Sequence, residues 1–295
     1  MTIVITALLM VGMGTGLAVV LAAANRRLYV YEDPRIDDVE DMLPSNNCGA
    51  CGTPSCRIFA ELAVLRKIAP GKCTVNTPDA NAAIADYLGV DAGTEEKRVA
   101  RLACAGGSHV ARNRAYYSGL ETCRAAAMVE GGPKSCTWGC LGFGDCMTVC
   151  DFDAITMDEH GLPVVNEDLC TACNACVEVC PKSLFSLQPL SHRLWIACKN
   201  EAEGGVAEAD CEVACTACGR CAADAPGLIT MQNNLAQIDY TQNHLATRTP
   251  IQRCPTGAIV YWNSDGTAEK GVAAKKIIRT SPLPCHASRI TSHGS

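Results

Sequence analysis

The sequence predicts an α+β fold with three parts: an N-terminal transmembrane helix, a small helical cysteine-rich domain, and two tandem α+β units of one repeated design. Three observations predict it. The chain begins with an uncharged apolar run at residues 2–24, it carries 21 cysteines among 295 residues with aromatic content of only 5 %, and two of its cysteine blocks repeat one another's spacing. So few aromatics are unusual for an ordinary packed enzyme, and something besides a large apolar core must hold the chain together.

At 1.5 Å per residue the apolar run covers roughly 33 Å, enough for one bilayer crossing. A cleaved secretory signal begins with a basic segment, whereas here the charges, Arg26 and Arg27, follow the run. By the positive-inside rule they put the body of the chain on the cytoplasmic side of the cell (inner) membrane, the compartment in which thiols stay reduced. Gly12 and Gly16 form a G-x-x-x-G pair that would admit a neighbouring helix, although small residues are common in any lipid-facing helix. The glycines at 12, 14 and 16 are not a dinucleotide fingerprint, because they lie inside the span.

The acidic stretch at residues 32–41 reads as a solvated face. A cysteine knot follows, made of Cys48, Cys51, Cys56 and Cys73, with Gly49 and Gly52 allowing the backbone to wrap close to a bulky ligand. Its spacing suits a 4Fe-4S cluster, with zinc as the alternative. Thr77 then caps an alanine-rich helix that begins at Pro78.

The strongest signal is Cys170, Cys173, Cys176 and Cys180 followed by Pro181, the bacterial ferredoxin run whose fourth cysteine ligates the other cluster of a pair. A partner run exists as Cys136, Cys140, Cys146 and Cys150. Crossing the fourth ligands assigns Cys136, Cys140, Cys146 and Cys180 to one 4Fe-4S cluster and Cys150, Cys170, Cys173 and Cys176 to the second.

Cys136, Cys140 and Cys146 are echoed by Cys211, Cys215 and Cys221, which marks an internal duplication. In the second copy Cys215, Cys218 and Cys221 repeat half of the ferredoxin run, Ala225 stands where a crossing ligand would be, and Cys254 before Pro255 supplies the fourth ligand of a single cluster. Cys211 competes with Cys218 for that cluster. These four sets use sixteen of the 21 cysteines and leave Cys104, Cys123, Cys198, Cys211 and Cys285, for which buried unligated thiols are the default expectation and a redox or fifth-site role the alternative.

The expected divisions are a transmembrane anchor at 1–25, an N-terminal 4Fe-4S domain at 26–77, a helical connector at 78–134, a two-cluster ferredoxin-like domain at 135–190, a single-cluster ferredoxin-like domain at 191–263 and a mobile polar tail at 264–295. A net charge of −6 without a basic stripe argues against nucleic acid as a partner. His109, His160, His192, His244, His286 and His293 are scattered and carry no assigned role. There is no P-loop and no flavin or nicotinamide motif.

The chain resembles the B subunit of the Rnf complex, the ion-translocating ferredoxin:NAD oxidoreductase. The resemblance spans nearly the whole length and rests on the N-terminal span, LPSNNCGACGTPSC at 43–56, CRAAAMVEGGPKSCTWGCLGFGDC at 123–146, CTACNACVEVCP from Cys170, and NNLAQIDY at 233–240. It implies a subunit with no catalytic residues of its own that takes electrons from soluble reduced ferredoxin and relays them to the other membrane subunits of a translocase, with membrane lipid around its N-terminal helix. Asp151 replaces the proline that often follows the crossing cysteine, and the last repeat keeps only Cys254. Two other readings compete: a membrane-tethered polyferredoxin feeding another reductase without ion pumping, and a zinc-stabilised interaction protein.

Overall fold

The computed structural model describes residues 2–28, 32–93 and 95–285. Helix α1, Thr2–Leu28, carries the apolar run, and its Leu8–Leu28 portion is long and apolar enough to cross a membrane, with a mean hydropathy of 1.9 and none of it buried by the rest of the chain. Arg26 and Arg27 stand in its last turn, where they complement the helix dipole. A Cβ added at Gly12 or Gly16 would meet nothing within 4 Å, so the small-residue face is open.

The first knot is enclosed by three helices. Helix α2, Arg35–Asp41, contributes Val39; α3, Cys56–Val64, contributes Phe59, Ala60 and Ala63; and α4, Pro78–Leu88, contributes Ile84 and Leu88 to one core that also contains Cys73. Each of the last two begins on a hydroxyl cap, the Ile58 amide donating to Ser55 Oγ at 3.2 Å and the Ala80 amide to Thr77 Oγ1 at 3.2 Å. Gly89 ends α4 at φ +60°, the left-handed cap that glycine adopts most readily. The helix expected at the head of a connector is therefore packed into the knot's own core.

The remainder is one layout used twice. In the first unit the order is strand β1 (Arg98–Leu102), short helix α5 (Cys123–Met128), α6 (Asp145–Thr148), hairpin β2 (Ile155–Met157) and β3 (Pro163–Val165), α7 (Ala175–Val179) and strand β4 (Phe185–Pro189). The second unit runs β5 (Leu194–Ile196), α8 (Gly204–Asp210), α9 (Arg220–Asp224), hairpin β6 (Ile229–Gln232) and β7 (Leu235–Ile238), α10 (Thr249–Gln252) and β8 (Ile259–Trp262). In both, the outer strands pair antiparallel across the intervening hairpin, with Ala100 opposite Leu187 and Trp195 opposite Val260. Asn233 and Asn234, at φ +48° and +59°, form the two-residue turn of the second hairpin, a conformation asparagine tolerates better than most residues.

Strand β1 lies within the stretch expected as a connector, yet it forms half of the outer sheet of the first unit. The tail also departs from expectation. Strand β9, Ala268–Glu269, pairs with β8, the Lys275 amide donates to the Pro255 carbonyl at 2.9 Å, and the Leu283 amide donates to the Ser108 carbonyl at 2.9 Å. Backbone pairing of this kind holds the segment on the body through residue 283; residues 286–295 of the expected tail lie outside those described.

The units are joined by buried polar contacts. Arg101 of β1 is 3 % exposed, pairs with Glu167 at 2.6 Å, and lies 4.0 Å from the ring centroid of Trp262 on β8. The Trp195 indole donates to the Leu102 carbonyl at 2.9 Å. Between the knot and the first unit, Thr74 Oγ1 donates to the Thr171 carbonyl at 2.6 Å.

Candidate metal centres

Cys48, Cys51, Cys56 and Cys73 wall a cavity of about 340 Å³. Gly49 and Gly52, at φ +72° and +83°, turn the loop so that Cys48 and Cys51 face inward, and the Cys56 amide donates to Asn47 Oδ1 at 2.8 Å at the start of α3. The fourth member comes from the far side of the core, where Asn81 of α4 donates to the Cys73 carbonyl at 3.0 Å. Burial raises the Cys73 thiol above its ordinary value, against the amides of Asn76 and Val75 that favour the thiolate.

In the first unit, Cys140, Cys146 and Cys180 share a cavity of about 340 Å³, and the fourth cysteine on its wall is Cys123. Cys136, expected here, does not line it; it lines a separate cavity with Cys104, Cys198 and Cys211. The cause is a carboxylate. Asp145 accepts the Cys123 amide at 2.8 Å and the Arg124 amide at 3.1 Å, which draws the first turn of α5 against α6. Phe143 occupies the position in Cys140–Cys146 that Cys218 occupies in Cys215–Cys221, so the first unit lacks a local third cysteine and Cys123 stands in from α5. A cysteine-to-phenylalanine mismatch between the two copies is the sequence signal that identifies it.

Cys150, Cys170 and Cys176 pack into one core with Phe185 in the same unit, and Cys173 lies on the loop between Cys170 and Cys176. Burial pushes the Cys176 thiol up to about 12, and its neighbours Cys170, Cys173, Cys146 and Cys150 push in the same direction. The Ala100 amide of β1 donates to Cys170 Sγ at 3.5 Å. Ala172 and Asn174, at φ +57° and +73°, coil the loop between the cysteines.

The second unit brings Cys215, Cys218, Cys221 and Cys254 around a cavity of about 360 Å³. Ala217 and Gly219, at φ +54° and +68°, repeat the coil of Ala172 and Asn174. Cys218 lines this cavity and Cys211 does not. Among the histidines expected to be scattered, His109 and His160 meet with ring centroids 3.6 Å apart, and neither lines a cysteine-walled cavity.

The donor chemistry fits 4Fe-4S clusters. Each cavity offers four thiols and little else that could ligate, and the sulfurs accept backbone amides, as Cys180 Sγ does from Leu184 at 3.4 Å. Among the described residues no three His, Cys, Asp or Glu side chains converge closely enough to hold a single metal ion. Zinc would need its sulfurs within about 2.3 Å of one point, whereas a cubane holds them further apart. Burial pushes the Cys140 thiol up to about 12 and the Cys221 thiol up to about 11, so without metal these two are protonated at neutral pH. Cluster insertion must therefore release protons.

A bare apolar helix joined to ferredoxin-like units with cysteine-walled cavities defines an iron–sulfur electron-transfer protein associated with a membrane. A 4Fe-4S dicluster domain model matches residues 137–186, and a putative Fe-S cluster model matches residues 43–75. The B subunit of the Na(+)-translocating ferredoxin:NAD(+) oxidoreductase complex of Acetobacterium woodii is 39 % identical over 88 % of this chain and 76 % of its own length. Its counterpart in the proton-translocating ferredoxin:NAD(+) oxidoreductase complex of Clostridium ljungdahlii is 36 % identical over 88 % of this chain and 92 % of its own. The B subunit of the ion-translocating oxidoreductase complex of Methanosarcina acetivorans is 33 % identical over 84 % of this chain and 94 % of its own. The chain belongs to this family, the B subunits of Rnf-type complexes.

Proposed function

We propose that this chain takes electrons from reduced ferredoxin at the cytoplasmic face of the membrane and passes them, through four 4Fe-4S sites, to other subunits of an ion-translocating ferredoxin:NAD oxidoreductase complex. The ligand sets are Cys48, Cys51, Cys56 and Cys73; Cys123, Cys140, Cys146 and Cys180; Cys150, Cys170, Cys173 and Cys176; and Cys215, Cys218, Cys221 and Cys254. The cavity linings favour Cys123 over Cys136 in the second set. When bound, such clusters supply reversible one-electron chemistry.

The observation that carries this reading is the succession of cysteines from site to site. Thr74, next to Cys73, donates to the carbonyl of Thr171, next to Cys170, at 2.6 Å, and Cys146 and Cys176 pack into one core, so the first three sets adjoin one another. The residues do three things for such a path: they hold the metal, donate amides to sulfur, and surround the cavities with apolar walls that exclude water.

The span supports anchoring by a single crossing, with Arg26 and Arg27 marking the cytoplasmic end. The described part of the span carries no ionisable side chain at its centre, which supports an ion path in other subunits. That B subunits named for sodium and for proton translocation are similarly close to this chain also supports ion choice outside it. The energetics are adequate: two electrons falling through roughly 100 mV release about 4.6 kcal/mol, while moving one charge against about 100 mV costs about 2.3 kcal/mol.

The test is anaerobic mixing of the full chain in detergent with reduced ferredoxin, followed by rapid-freeze electron paramagnetic resonance. Low-potential cluster signals appearing at the expense of reduced ferredoxin are expected. Protein that contains zinc without sulfide, or clusters that ferredoxin fails to reduce, would reject the assignment.

A further inference from the structure

Cys104, Cys136, Cys198 and Cys211 belong to none of the four sets above, yet they wall one cavity of about 360 Å³, the size of that in the second unit. The duplication accounts for them in pairs. Cys104 follows β1 by two residues and Cys198 follows β5 by two. Each sulfur accepts the amide two residues on, from Gly106 and from Asn200, both at 3.4 Å. Cys136 and Cys211 are equivalent as well, each opening its copy of the C-x-x-x-C spacing. The cavity therefore takes one matched pair from each unit and lies at the junction between them.

Backbone pairing fixes this convergence. The Arg112 amide donates to the Asp210 carbonyl and the Glu212 amide to the Val110 carbonyl, each at 2.9 Å, so Cys211 is held on both sides against the loop of the first unit. The Ser135 amide donates to the Arg112 carbonyl at 3.0 Å, seating Cys136 beside the same loop. A Cβ on Gly106 would stand 3.1 Å from Cys211 Sγ and 3.6 Å from Cys104 Sγ, so both sulfurs face one point. Asn200, 1 % exposed, donates its side-chain amide to Cys136 Sγ at 3.5 Å.

The charge in this pocket suits an anionic occupant. Lys134, 7 % exposed, lines the cavity and donates to the Gly106 carbonyl. A cluster held by four thiolates is an anion, and a buried ammonium beside it offsets part of its charge.

We infer that Cys104, Cys136, Cys198 and Cys211 ligate a fifth 4Fe-4S cluster, which bridges the two ferredoxin-like units in the electron path; this rests on the proposed function and extends it. Its neighbours are close on both sides. The Cys140 amide donates to Cys104 Sγ at 3.4 Å, and the Cys215 amide donates to Cys198 Sγ at 3.3 Å. The fifth site thus touches a ligand residue of the second set and one of the fourth. Each passage takes one electron from the first unit's side and delivers one to the second unit's side, with no bond made or broken.

The test compares the full chain with Cys198→Ser, the double variant Cys104→Ser/Cys198→Ser, and Cys285→Ser as control, all purified anaerobically in detergent. Loss of about four irons and four sulfides per chain in the first two variants, with the control unchanged, is expected. About sixteen irons in wild type and variants alike would overturn the fifth site and leave the proposed function standing; zinc in its place would do the same. Iron without sulfide throughout would reject both. Should the cysteine variants fail to fold by circular dichroism, Asn200→Leu decides. Removing its N–H···S bond is expected to move the midpoint of one cluster signal to more negative potential, and no shift in any signal would overturn the inference.

Discussion

The two ferredoxin-like units share a strand–helix–helix–hairpin–helix–strand layout but place their cysteines differently. The second unit lines its cavity with three cysteines of one coiled loop, Cys215, Cys218 and Cys221, and a fourth, Cys254, ahead of β8. The first keeps Cys140, Cys146 and Cys180 at the equivalent positions, has Phe143 in place of the middle cysteine, and lines its cavity with Cys123 from α5, whose counterpart α8 brings no cysteine to the second unit's cavity. On the other side the asymmetry reverses: the first unit gathers Cys150, Cys170, Cys173 and Cys176, and the second has Ala225 where Cys150 would be. The scaffold preserves the cavity, and the ligand can be supplied from wherever a backbone contact brings a cysteine to its wall.

The strongest challenge to the comparison is to remove the metal. Both units have short elements between cysteines, and Cys146, Cys176, Cys221 and Cys254 sit inside their cores, so chelation under anaerobic conditions is expected to abolish most of the far-ultraviolet circular dichroism of these units. Native circular dichroism retained after iron loss would show that the scaffold stands without its clusters. A sharper test exchanges the ligand positions. Cys123→Ala is expected to lose about four irons per chain, and adding Phe143→Cys, which gives the first unit the spacing of the second, is expected to restore them. Failure of the double variant would mean that the two loops are not equivalent. The smallest effect concerns the joint between the units. Arg101→Met leaves Glu167 without its buried partner and removes the contact with Trp262, at an expected cost of about 3–5 kcal/mol in denaturant unfolding of the iron-loaded protein. A cost below about 1 kcal/mol would show that the units are held by their clusters rather than by this pair.

Local signals in the sequence carried much of this. The run from Cys170 to Pro181, the knot from Cys48 to Cys73, the cap at Thr77 and the apolar span each depend on residues within a few positions of one another, and each corresponds to an element in the structure. What was not legible depends on distant pairing. Cys123 reaches its cavity because Asp145, 22 residues on, accepts its amide. Cys104 and Cys198 look like leftovers until β1 and β5 are placed in equivalent sheets, and those strands pair with partners near the far end of their units. The tail reads as mobile because its anchors are backbone groups without a side-chain signature, such as the Lys275 amide on the Pro255 carbonyl.

The chain between α1 and α2 has a consequence for reach. From Leu28 to Arg35 is seven residue steps, which even fully extended span no more than about 25 Å. If α1 sits in a bilayer, the knot of Cys48 to Cys73 is leashed to the surface and cannot roam the cytosol. A diffusing donor then searches a thin layer instead of a volume, and any partner embedded beside α1 meets this carrier at a local concentration fixed by tether length, whatever the number of copies in the cell.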